Sequence, residues 1–115
     1  MDKDLNGYFS HEQLDVYRVA LEFAGWVPGA AKGLPVRSSL RDQLMRASES
    51  IVLNIAEGAQ QQTGQMAKKH YRVAFGSAAE CAAALDLLAL HGASNLHEGH
   101  QLIHRIGAMM RRLAR

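Results

Sequence analysis

Three sets of side chains in this 115-residue sequence have the types and spacing for chemistry. The first is His97, His100 and His104, spaced i, i+3, i+7, which a helix would place on one face. Two imidazoles one turn apart can bind zinc or nickel. Nothing else in the sequence supplies a good further ligand, and bundle metal sites point inward, whereas these histidines fall opposite the apolar side. No metal and no cofactor is therefore expected. Cys81, the only cysteine, cannot form a disulfide within the chain. It sits among apolar positions and reads as a small buried hydrophobe rather than a nucleophile. Glu49, Glu57, Glu80 and Asp86 have no spacing that builds a carboxylate pair. A P-loop, a dinucleotide glycine fingerprint and a G-x-S-x-G elbow are all missing from the sequence. The expectation is a protein that is not an enzyme.

The second set is a polar stripe, Gln43, Arg46, Ser50, Asn54 and Glu57, running beside the apolar positions Leu40, Leu44, Ala47, Ile51, Ile55 and Gly58. Polar groups bordering a core must be paired or they cost several kcal/mol. The stripe reads as an inter-helix hydrogen-bond network, which Glu80 on the next helix is placed to join.

The third set is cationic. Residues 1–30 carry a net charge of −3 and residues 31–115 a net charge of +5. The basic residues cluster as Arg37 and Arg41; Lys68, Lys69 and Arg72; and Arg111, Arg112 and Arg115. Clusters of this kind bind phosphates by releasing counterions. The candidate nucleic-acid contacts are Arg41, Lys68, Lys69, Arg72, Arg111, Arg112 and Arg115. A net charge of +2 makes one copy a weak binder, and several copies in a ring would multiply each patch. The alternative is a solvated charged surface on a structural or protein-interaction module.

The elements that hold these residues are helices. Eighteen residues are Ala and fourteen are Leu, against eleven Val, Ile and Thr together. That balance favours an all-α domain over a sandwich or barrel. Helical periodicity predicts stretches over about 12–32, 36–60, 64–91 and 95–115. Ser10, Ser38 or Ser39, and Asn95 are the expected caps. Pro28 is expected to bend the first helix near Trp26 or to end it early. Four such helices joined by short turns predict an antiparallel, up-down four-helix bundle as one domain over 1–115, with 1–10 a flexible segment. Val73, Leu87 and Leu90 fall off the core face of the third helix and are expected at an interface between subunits. The polar opening Met1 to Ser10 has no secretory h-region, and no apolar run approaches the ~20 residues that span a membrane. A cytoplasmic location without membrane attachment is expected.

Two motifs carry a family resemblance. Leu40-Arg41-Asp42-Gln43-Leu44-Met45-Arg46-Ala47-Ser48-Glu49-Ser50-Ile51 is followed by Asn54-Ile55-Ala56-Glu57-Gly58, and then by Tyr71-x-x-Ala74-x-Gly76-Ser77-x-x-Glu80. With the opening Leu14-x-Val16-Tyr17-x-x-Ala20, this resembles the bacterial four-helix-bundle proteins encoded by intervening sequences within 23S ribosomal RNA genes. Accessory variability determinant proteins of diversity-generating retroelements share that resemblance. It implies a homopentameric ring of up-down bundles. For the retroelement members it implies binding of nucleic acid and of a reverse transcriptase. Carried onto this chain, Arg46, Asn54, Glu57, Ser77 and Glu80 are motif positions with an expected structural role.

Overall fold

The computed structural model describes residues 9–30, 32 and 37–115. The expected flexible segment, and the expected start of the second helix near residue 36, lie largely outside those residues. Four helices are present among the described residues: α1 (Asp15–Trp26), α2 (Ser38–Ala59), α3 (Gly64–Leu90) and α4 (His97–Leu113). No strand occurs among them, as the Ala- and Leu-rich composition predicts.

Helix boundaries follow local chemistry, with three corrections to the expected caps. Ser10 does not cap α1. It opens a 3-10 turn, Ser10–Gln13, in which the Glu12 carboxylate accepts the Phe9 N–H at 2.9 Å, and α1 begins after Leu14. Pro28 ends α1 early and leads a 3-10 turn, Val27–Gly29, because it has no N–H to continue the helix. Arg37, in extended conformation, precedes α2 in place of a serine cap. Thr63 caps α3, its hydroxyl accepting the Met66 N–H at 3.2 Å. At the other end of α3, Gly92 adopts φ +93°. That lets Ala93 N–H reach Leu88 C=O and Gly92 N–H reach Ala89 C=O, a complete Schellman closure. Asn95 takes φ +61° in the following turn and Leu96 stands at the start of α4. Asn tolerates this left-handed geometry, so here it serves the turn rather than the cap.

The helices pair in a closed cycle, α1 with α2, α2 with α3, α3 with α4 and α4 with α1. Phe23, Ile51, Ile55, Cys81, Leu85, Leu88, Ile106 and Met110 lose all but a trace of their solvent exposure at the centre. Ala74, Ala78 and Ala84 are small, buried positions on the inner face of α3. Residue numbers run in opposite senses across each pair for which contacts fix the register. Ser50 meets Ser77 while Asn54 meets His70. Arg72 meets Ala114 while Phe75 and Ala82 line a groove with Arg111 and His104. Trp26 lies over Gly99 while Leu14 and Val16 share a groove with Met109 and Leu113.

α3 has 27 residues and α4 has 17. At 1.5 Å per residue α3 outruns its partner by about 15 Å. α3 also corrects the expectation about apolar runs. Its most apolar 18-residue window has mean hydropathy 1.6, long and apolar enough to cross a membrane by length and composition, and only 33% of it is buried within the chain. Val73, Leu87 and Leu90 stand out from this helix at 52%, 46% and 82% exposure.

Candidate nucleic-acid interface

The seam between α2 and α3 carries the polar network. Ser50 Oγ and Ser77 Oγ are 2.8 Å apart. Asn54 Nδ2 donates to Ser50 C=O at 2.9 Å and to Ser50 Oγ at 3.2 Å, which turns Asn54 Oδ1 the other way. That oxygen lies 3.4 Å from His70 Nδ1, and Glu57 Oε2 lies 3.2 Å from the same nitrogen. Both oxygens are acceptors, an arrangement that suits an N–H at His70 Nδ1. Below this, the Tyr71 ring lies against Gly58, where a Cβ would stand 2.6 Å from Tyr71 Cε1. Burial raises the Tyr71 phenol above its ordinary pKa.

Of the expected polar network, Ser50, Asn54, Glu57 and Ser77 thus come together around the seam. Gln43, Arg46 and Glu80 are exposed and lie outside these bonds. His70 is the member that sequence reading missed, although its place directly before Tyr71 in the second motif was a usable signal. No buried side-chain polar atom among the described residues lacks a hydrogen-bond partner. The buried part of the seam is therefore internally satisfied, while the Glu57 carboxylate at its end is exposed.

The cations are arranged differently. Arg72 Nε donates to Ala114 C=O at 3.3 Å. This bond ties the first third of α3 to the end of α4, so two clusters about 40 residues apart in sequence share one end of the bundle. Lys68, Lys69, Arg72, Arg111, Arg112 and Arg115 are all exposed there. Arg111 lines the α3–α4 groove with Phe75 and Ala79, while Arg112 lines the α1–α4 groove with Leu14 and Asp15. None of these six makes an ion pair among the described residues. The nearby carboxylates are engaged elsewhere: Glu12 with Phe9 N–H, Asp15 with Arg18, and Glu57 with His70. Arg41 stands apart. It lies nine residues before Ser50, about 13 Å along α2 toward the Leu90 end of α3.

The other chemical candidates occupy quiet positions. His100 and His104 stack with centroids 6.4 Å apart on the outer side of α4. No group of three or more metal-binding side chains occurs among the described residues. Cys81 is fully buried, and its thiol is pushed up to about 12 by burial and then by the Glu80 charge, which leaves it protonated at neutral pH.

Fold and site together define a small all-α bundle with a satisfied polar seam and a cationic end. The family model of the 23S rRNA-intervening sequence protein matches residues 12–115, and the chain belongs to that family. Among curated proteins, none matches the chain.

Proposed function

We propose that the protein is a non-enzymatic, homo-oligomeric bundle that binds RNA or DNA through its cationic end. The bond from Arg72 to Ala114 is the observation that carries this reading, because it brings two clusters dispersed in sequence, six exposed cations in all, to one end of the bundle. Phosphate binding is governed by how many cations a backbone meets at once, since each neutralised phosphate releases counterions. Exposed apolar side chains support the homo-oligomeric part of this reading. The apolar outer face of α3 carries Val73, Leu87 and Leu90, and a second copy would cover it. Its most apolar stretch also carries Glu80 and Asp86, which oppose insertion in a lipid core. A ring, five-membered by the family resemblance, would repeat the cationic end around its rim and add avidity.

Charge reversal tests this. Lys68→Glu, Lys69→Glu and Arg72→Glu together are expected to weaken binding of labelled structured RNA and DNA by about 100-fold or more at low salt. Sedimentation should show the assembly unchanged. Arg41→Glu, at the other end, should change binding by less than about two-fold, below 0.5 kcal/mol. Undetectable binding of either nucleic acid by the native oligomer would remove the proposal and leave a protein-interaction module.

A further inference from the structure

We propose that the outer face of α3 docks into the furrow between α1 and α4 of a second copy, with Glu80 set against Arg105 and Gly76 at the closest approach. This rests on the homo-oligomeric reading above and names the two surfaces that meet.

The outer face of α3 has the spacing of a helix-packing stripe. Val73, Gly76, Glu80, Ala83, Leu87 and Leu90 follow one another at alternating intervals of three and four residues, and all six are exposed. Alternation of this kind seats each side chain in a hole on a facing helix. The core uses the opposite side of α3, through Ala74, Ala78, Cys81, Leu85 and Leu88. Gly76 adds a second sign of a facing helix. Glycine weakens a helix interior relative to alanine. A Cβ at Gly76 would meet no atom of the chain within 4 Å, so nothing inside the bundle requires glycine there. A helix packed from outside does use it, because the missing side chain lets the two backbones close up.

Charge and height select the receiving surface. Glu80 is an exposed carboxylate in the middle of this apolar face, with no ion pair among the described residues. Arg105 is likewise exposed and without an ion pair, and it lines a cavity of about 450 Å³ between α1 and α4 with Val19, Ala108 and Met109. Asp15 and Arg18 in that cavity pair with each other. The bond from Arg72 to Ala114 fixes the relative heights. Glu80 lies about 12 Å along α3 from Arg72, and Arg105 about 14 Å back along α4 from Ala114. The two charges stand at one level on different sides of the bundle, so only a second copy brings them together. A flat ring of upright bundles needs that equality, since its rotation moves no copy along the axis.

The lengths also agree. Cavities of about 410 and 420 Å³ extend the furrow toward Leu113 and toward Glu98. From Leu113 to Glu98 is about 23 Å of α4, and from Val73 to Leu90 about 26 Å of α3. Each copy thus presents two different surfaces, the head-to-tail contact from which rings are built, with every cationic end on the same rim.

Sedimentation velocity on the full chain tests this, with circular dichroism to check folding. The native chain should sediment as an oligomer. Glu80→Arg and Arg105→Glu should each raise the concentration needed for assembly by about 10-fold or more, because each sets like charges opposite one another. The variant carrying both should return to within about three-fold of native. Gly76→Leu should sediment as a monomer with its helix content undiminished, since the chain leaves that position open. Native assembly by Arg105→Glu, by Glu80→Arg or by Gly76→Leu overturns the docking, as does a double variant no better than Glu80→Arg alone. In the last case α3 faces another surface, such as a second α3. A native chain that stays monomeric overturns the homo-oligomeric reading with it.

Discussion

The α2–α3 seam and the cationic end share helix α3 and use its side chains in opposite ways. In the seam, Ser50, Asn54, Glu57, His70 and Ser77 are matched to one another at 2.8–3.4 Å. At the cationic end, six exposed side chains have no carboxylate partner among the described residues. A matched polar group sets helix register, whereas an unmatched cation keeps its charge for a ligand. The two regions carry different residues. Asn54, Glu57, Gly58, Tyr71 and Ser77 all lie in the seam, so these motif residues report how α2 and α3 meet. The charge that would meet a ligand lies largely on residues outside those motifs.

The largest expected effect tests whether the cationic end is one surface. Arg111→Glu with Arg115→Glu should lower oligonucleotide affinity by about 100-fold, as replacement of the α3 cations does, because both sets meet the same phosphates. Equilibrium binding reads this, and unchanged affinity would split the two clusters again. In the seam the expected effects fall on stability. Gly58→Ala puts a methyl group into the Tyr71 ring and should destabilise the fold by about 1–3 kcal/mol in urea unfolding. The smallest effect is the Ser50–Ser77 bond. A double-mutant cycle with Ser50→Ala and Ser77→Ala should give a coupling of about 0.5–1.5 kcal/mol. Binding of oligonucleotide by these seam variants, once folded, should match the native chain.

Much of the fold was legible in the sequence, because helical periodicity and composition act locally. Pro28 ends α1, and Thr63 caps α3 at the expected boundary. Asn95 and Ser10 misled, since Asn suits a left-handed turn as well as a cap, and the carboxylate of Glu12 serves the Phe9 N–H just before Ser10. The polar stripe was half legible. Periodicity places Gln43, Arg46, Ser50, Asn54 and Glu57 on adjoining strips, and only packing decides that Ser50, Asn54 and Glu57 turn toward α3 while Gln43 and Arg46 remain exposed. The approach of Arg72 to Ala114 was not legible, because a contact spanning 42 positions depends on the relative lengths and register of α3 and α4. The Phe9–His11–Tyr17 stack was missed because its aromatic residues follow no helical spacing across the 3-10 turn.

The central claim is that six cations form one phosphate-binding surface, and the salt dependence of binding tests it most directly. A surface meeting about six phosphates predicts that log K falls with log salt at a slope near −5 on duplex, or about −4 on single strands. The Lys68→Glu, Lys69→Glu and Arg72→Glu variant should flatten that slope by at least about 2 units. A native slope shallower than about −1, or an equal slope in the variant, would contradict the account.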